Sequence, residues 1–294
     1  MDTILMIIQV ALLIVISPLI GGFIKRVKNN MRMRKGPGVF QPYYNLAKLF
    51  QKEEVVSKNI SWIFRITPFI VLASSVMAAL LVPIFTSSLY LNHMGDVILI
   101  IFVFALGRFF LALAGLDAGS AFGGMGSSRE MFISSLIEPV LLLSVFAVSL
   151  NAGSTSISAL SGAHAIRLSA ILAAIAFFAV MIAETSRIPV DNQETHLELT
   201  MIHEAMVLEY SGPSLALIEL ASYIKQAVFF SLLANVILPR QGIVVFIAEI
   251  AAISLIISGL EVSIAKMRLF RVVDLASFSF VLAVVAVIIS ILGF

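Results

Sequence analysis

Apolar runs of roughly 20 residues, the length that crosses a hydrocarbon core at about 1.5 Å per residue, recur along almost the whole chain. They lie at 4–24, 63–85, 96–115, 131–151, 166–187, 213–238, 242–262 and 272–293. With 60% of its 294 residues hydrophobic and 12% charged, the chain has more apolar surface than a water-soluble core of this size can bury. The runs therefore predict an all-α, polytopic integral membrane protein of about eight transmembrane helices, one membrane domain over 1–294. The first run is too long for the apolar part of a signal peptide and has no basic segment or cleavage site beside it, so it reads as a retained helix. There is no cysteine. A cysteine-ligated iron–sulfur cluster and a disulfide are thus excluded within this chain, and any electron transfer belongs to another subunit.

The lysines and arginines give an expected orientation. The first connection holds Lys25, Arg26, Lys28, Arg32, Arg34, Lys35, Lys48, Lys52 and Lys58, and the seventh holds Lys266, Arg268 and Arg271. The second holds none and the sixth only Arg240. Odd-numbered connections are therefore expected in the cytoplasm and both termini outside. Within the first connection Gly36-Pro37-Gly38 signals a turn. After it, Tyr43, Leu46, Ala47 and Phe50 fall at i, i+3, i+4 and i+7, as on a short amphipathic helix at the inner surface. Such a helix serves as a basic anchor to anionic lipid or as a docking surface for a soluble partner.

Two connections carry the polar content. The third, from Gly115 to Glu130, has glycines at 115, 119, 123, 124 and 126 together with Asp117, Arg129 and Glu130. It follows no strand and has no phosphate-loop lysine, so it reads as a tight loop capped by Ser127 or Ser128, or as a place where another chain comes close. The fifth, Glu184 to Gly212, carries Glu184, Asp191, Glu194, Glu198, Glu204 and Glu209 against a single Arg187. Carboxylates gathered against a membrane are costly and call for a reason. His196 and His203 add titratable groups to it as relay candidates, but their spacing is not that of a metal-binding helix.

Ionisable residues also fall inside the spans: Arg108, Glu138, Glu184, Glu219, Lys225 and Glu249. Facing lipid, each would cost a few kcal/mol, so they are expected to face the interior. Two readings follow. One is a set of ion pairs, such as Arg108 with Glu138, locking helices together. The other is a hydrated chain of carboxylates that loads and releases protons, leading from the acidic connection into the membrane. Arg65, Glu261 and Asp274 lie near cytoplasmic ends, where snorkelling or local ion pairs account for them.

Particular residues resemble a known family. Arg34-Lys35-Gly36-Pro37-Gly38 with Gln41-Pro42 and Lys48-Leu49, then Ala183-Glu184-Thr185, Arg187, Pro189-Val190-Asp191, Glu194, Glu198-Leu199 and Glu209-Tyr210-Ser211-Gly212, resemble the complex I subunit 1 family. The run from Ala105 to Asp117, with Gly119-Ser120 and Gly126-Ser127-Ser128-Arg129-Glu130, is similar to its hydrogenase branch: the membrane subunits of formate hydrogenlyase, hydrogenase-4 and energy-converting group 4 [NiFe]-hydrogenases. The resemblance implies a multi-pass subunit of a prokaryotic cell membrane that holds no cofactor or metal itself. It implies partners carrying the [NiFe] centre and iron–sulfur clusters, namely hydrogenase large and small subunits and iron–sulfur subunits, with antiporter-like membrane subunits alongside. Docking would involve Arg34, Lys35, Gly36, Pro37, Glu209 and Tyr210. Redox-linked proton or sodium movement would pass through Glu138, Glu184, Asp191, Glu194, Glu198 and Glu219, supported by the charges of Arg108, Asp117, Arg129, Glu130, Arg187 and Lys225. Nucleic acid is not an expected partner. The alternatives are a quinone-chamber subunit of an NADH:quinone oxidoreductase-like complex and, from another class, an autonomous secondary ion transporter. Against the transporter stand the lack of a detectable internal repeat and a sixth span unbroken by a mid-span glycine or proline pair.

Overall fold

The computed structural model describes residues 2–57, 60–82, 95–160, 167–191, 201–237 and 243–292. In chain order the helices are α1 Asp2–Met31, α2 Gln41–Phe50, α3 Trp62–Leu81, α4 Val97–Asp117, α5 Ala121–Ala152, α6 Ile157–Leu160, α7 Leu168–Glu184, α8 His203–Val207, α9 Gly212–Ile237, α10 Ile243–Ser263 and α11 Leu269–Leu292. Seven of them, α1, α3, α4, α5, α9, α10 and α11, are long and apolar enough to cross a membrane. The remaining expected span is α7, an apolar helix of 17 residues. Among the described residues there is no strand, only an isolated antiparallel bridge between Asp96 and Ser156.

The ends of the helices sort into two layers. At one end Ser211 Oγ donates to the Val55 carbonyl (2.8 Å), Ser61 Oγ donates to Asp117 (2.9 Å) and the Met267 amide donates to the Pro189 carbonyl (2.8 Å). These bonds join the first, third, fifth and seventh connections. At the other end the Val97 and Ile157 amides donate to Thr155 and Gly95, joining the second connection to the fourth. The described parts of the first, third, fifth and seventh connections therefore lie at one end of the bundle, and residues 95–97 and 155–157 at the other.

At the centre stands α9, packed against α1, α2, α3, α7 and α10. In a bilayer, helices gain little from hiding apolar surface, and close van der Waals packing through small side chains does the work instead. Accordingly Ala216, Ala221, Ala227 and Ala234 of α9 are all within 2% exposure, and Phe229 stacks on Phe104 of α4 with ring centroids 5.2 Å apart. α1 comes near through Gly21 and Gly22. A Cβ on Gly21 would stand 2.7 Å from the Tyr223 ring, and one on Gly22 would stand 1.9 Å from the Val39 carbonyl oxygen. Helix α2 then lies across α1 and α9, burying Pro42 and Leu46, while Ala47 and Phe50 of the expected apolar face remain exposed.

Two boundaries differ from the expectation. Helix α1 runs to Met31 rather than ending near residue 24, which brings Lys28 onto the bundle's interior face at 4% exposure. The third connection is mostly helix: α5 starts at Ala121 and is 32 residues long. Its cap is Ser120, whose Oγ accepts from the Gly123 amide (3.1 Å), rather than Ser127 or Ser128. Only Gly119 of the five glycines has a positive φ, +64°. Close approach is the role of others, since a Cβ on Gly123 would lie 2.2 Å from the Gly115 carbonyl oxygen. Buried Ser127 instead ties α5 to α4 by donating to the Ala112 carbonyl (2.8 Å).

Candidate functional site

Four helices bring five ionisable side chains together inside the bundle. Arg108 of α4, at 8% exposure, donates through Nη2 to both oxygens of Glu184 of α7 (2.8 Å each). Its Nη1 pairs with Glu138 of α5 at 3.0 Å, and Glu130 of α5 stands 3.8 Å from its Nε. Lys225 of α9 completes the group, its Nζ 2.9 Å from Glu184 Oε2. The Arg108–Glu138 pair expected from the sequence is present, but the centre of the cluster is Glu184, with 2% side-chain exposure and a cation on either side. Two cations face three carboxylates. Charges this deep persist only where partners and hydrogen bonds offset their desolvation, which a guanidinium shared between two carboxylates does.

Beside the cluster lies a cavity of about 50 Å³ of water-accessible space. Arg108, Glu130, Glu184 and Lys225 line it, with Ser74 and Ser75 of α3, Ser222 of α9 and His203. A Cβ on Gly107 would sit 2.5 Å from Ser74 Oγ, so glycine there lets α3 close over the cavity next to Arg108. Arg108 Nε has no hydrogen-bond acceptor among the described residues.

A second buried group begins three residues after Glu184. Arg187 Nη1 bonds Glu261 at the end of α10 (3.2 Å), and its Nη2 donates to Gln226 of α9 (2.7 Å). Lys28 of α1 pairs with the same Glu261 at 3.0 Å, and Arg32 donates to the Glu261 carbonyl (3.2 Å). Of the two expectations for Glu261, local ion pairs rather than snorkelling hold: it is a buried anchor with 2% side-chain exposure. Between the two groups the chain turns through Ser186, at φ +50°, and it continues to Asp191, which is 1% exposed. Asp191 accepts from Lys266 (2.6 Å) and from the His203 amide (3.0 Å), tying the fifth connection to the seventh.

The other expected site residues separate. Glu219 lies half-buried on α9 away from the Arg108 cluster, where the charges acting on it are Glu204 and Lys25. Asp117 accepts from the Ser61 amide and hydroxyl at the start of α3, and Arg129 donates to the Met201 carbonyl (2.8 Å), so both fasten connections. Arg34, Lys35, Pro37 and Glu209 are exposed and Gly36 is partly so. Tyr210, expected at a docking surface, is instead 4% exposed, stacked on Phe64 with its hydroxyl donating to the Phe64 carbonyl (2.9 Å). Burial pushes that hydroxyl's pKa well above the ordinary tyrosine value. Glu194, His196 and Glu198 lie outside the described residues. Among the described residues no group of three or more His, Asp or Glu side chains could hold a metal ion. Lys28, Gln226, Glu261 and Lys266 are not singled out by the sequence as site residues; for Gln226 and Glu261 the available signal is an amide or acid within, or at the end of, an apolar run.

An α-helical bundle of membrane-crossing length, with buried ion pairs at its centre, defines a multi-pass membrane protein. Residues 3–292 match the family model described as NADH dehydrogenase, and the chain belongs to that family. It is 34% identical to hydrogenase-4 component C of Escherichia coli (strain K12), over 90% of this chain and 82% of that one. It is 31% identical to formate hydrogenlyase subunit 4 of the same organism, over 89% of this chain and 90% of that one. Against the NADH-quinone oxidoreductase H-type subunit of Burkholderia ambifaria (strain MC40-6) the identity is 25%, over 71% and 64% of the two chains. A chain of the membrane-bound sulfane sulfur reductase, an archaeal respiratory membrane complex, shares the fold, with a TM-score of 0.85 over 97% of this chain and 99% of that one at 19% identity.

Proposed function

We propose that this chain is the membrane subunit of a complex I-like, membrane-bound hydrogenase, anchoring a hydrophilic arm and linking its electron transfer to proton or sodium movement. The observation that carries this reading is the likeness to hydrogenase-4 component C and formate hydrogenlyase subunit 4 over nine-tenths of the chain, above the likeness to the quinone oxidoreductase subunit. In this reading the [NiFe] centre and iron–sulfur clusters sit in soluble partners, and antiporter-like subunits lie alongside in the membrane. The arm docks at the end of the bundle that carries the odd connections, where Arg34, Lys35, Pro37 and Glu209 are exposed. The excess of lysine and arginine there supports assigning that end to the cytoplasm and both termini to the outside.

The chain's own part is electrostatic. Glu184 and Arg187 lie on one turn, the first held by Arg108 and Lys225 and the second by Glu261 and Gln226. A displacement of the fifth connection by a docked partner therefore changes two buried charge groups at once. That is what coupling between separate sites requires. Glu138, Glu130 and, away from the cluster, Glu219 near Glu204 supply carboxylates through which ions pass between that connection and the membrane interior. Purification of the tagged chain in mild detergent tests the assignment. Nickel-containing and iron–sulfur subunits are expected to copurify in fixed ratio, and a chain that migrates alone while transporting ions would contradict it.

A further inference from the structure

A groove with about 230 Å³ of water-accessible space lies between α1 and α10. Ala227 and Ser231 of α9, within 2% exposure, form its floor, and partly exposed residues of α1 form one lip. Small side chains in a bilayer normally bring helices into close contact. Here Ala227 and Ser231 of α9 and Ala251 and Ser254 of α10 border a space instead. Folded interiors leave few voids larger than a water molecule, and this one exceeds the roughly 150 Å³ of a cavity that takes up benzene.

Length, chemistry and charge identify what fills it. The α1 lip runs through Leu12, Ile16, Leu19 and Phe23, at steps of four, three and four residues along one face. It therefore follows the helix axis for about 16 Å, the depth of one leaflet in a hydrocarbon core about 30 Å thick. Spread over that length, the space has a mean cross-section of about 14 Å², on the scale of a single hydrocarbon chain and several times too small for a helix about 10 Å across. The only hydroxyls in the lining are those of Ser231 and Ser254, and each donates to a carbonyl of its own helix, Ala227 (2.8 Å) and Ile250 (2.7 Å). Neither has a proton left for a polar ring, so the occupant is apolar throughout its depth. At the end nearer the first connection the α1 stripe continues, at the same steps, to Arg26 and Asn30, both exposed. Arg26 Nη1 donates to the Gly36 carbonyl (3.1 Å), and the guanidinium has further N–H groups for a phosphate oxygen.

We propose that this groove is a site for an anionic glycerophospholipid of the leaflet nearer the first connection. One acyl chain lies along α1 between α9 and α10, and the phosphate pairs with Arg26. The lipid completes the packing of α10, the helix that carries Glu261. The proposal needs only that the chain crosses a bilayer, so it and the reading of the chain as a hydrogenase subunit fail separately.

The test uses the complex that copurifies with this chain, reconstituted into vesicles containing a trace of phosphatidylglycerol with a photoactivatable group on its acyl chain. After illumination, label is located by mass spectrometry. The outward faces of α4 and α11, where Phe102, Leu106, Phe278 and Val281 are exposed, report bulk lipid. The site predicts several-fold more label on residues 12–23 and 246–254 than on those faces. Ala251→Phe, which fills the groove from the α10 side, should bring that label down to the reference level. A phosphatidylcholine probe with the same chain should label the groove less than phosphatidylglycerol does, and Arg26→Ala should remove the difference. Label on the groove no greater than on α4 and α11 overturns the site and leaves bulk lipid contact only. Label on α4 and α11 alone overturns it in favour of a partner's helix covering the groove. Equal labelling by the two head groups in the unmodified complex overturns the anionic assignment. Should Ala251→Phe fail to assemble, the unmodified pattern and Arg26→Ala decide between the same outcomes.

Discussion

The two buried charge groups, three residues apart along the chain at Glu184 and Arg187, are built to opposite plans. Around Arg108 there are three carboxylates to two cations, a water-accessible cavity, and partners whose side-chain exposure reaches 35% at Glu138. Around Glu261 there are two cations to one carboxylate, with side-chain exposures of 5%, 11% and 2%. The first arrangement has spare acceptors and room for water, so its charges can be redistributed. The second ties α1, α10 and the fifth connection to one buried anion, with α9 joined to it through Arg187, so it acts as a clamp. A subunit that passes a displacement across itself needs both, an element that moves and a support that does not.

The largest break in that contrast should come from Arg108→Ala. Three carboxylates would be left with Lys225 alone, and loss of a buried ion-pair partner costs about 3–5 kcal/mol. Little intact complex is expected on native gels. Glu261→Gln should fall at the lower end of that range, because the amide oxygen still accepts from Lys28 and Arg187 while the charge is gone. Its signature should be a lowered unfolding temperature in detergent with ions moved per electron unchanged in what survives. Reduced coupling in that variant would mean that the clamp is itself part of the route.

Much of this was legible from the chain. Apolar runs of membrane length marked the spans, since only a helix satisfies all of its own backbone groups within one segment in hydrocarbon. Arg108 and Glu138 announced themselves as charges too deep to face lipid. Glu184 as the hub, by contrast, could not be read. These helices are apolar nearly all round, so their rotation about their own axes, which decides who meets whom, leaves no periodic trace in sequence. The same blindness hides the clamp: in sequence Lys28 is one more basic residue of the first connection, whereas α1 continues through it and turns it inward. The glycines from Gly115 to Gly126 signalled a loop because glycine serves turns and tight helix contacts alike, and Gly115, Gly123 and Gly126 serve the second.

The smallest effect on stability and the most direct bearing on coupling belong to Glu138→Gln. Its side chain is 35% exposed and Arg108 keeps Glu184, so the loss should stay within about 1 kcal/mol and the complex should assemble. Glu219→Gln, outside the cluster, should be at least as mild in stability. The deciding measurement is the number of ions moved per electron in sealed vesicles, taken at matched rates of electron transfer. The account predicts that Glu138→Gln lowers this ratio several-fold while electron transfer continues. An unchanged ratio in Glu138→Gln, in vesicles where the unmodified complex moves ions, would contradict a route through the Arg108 cluster.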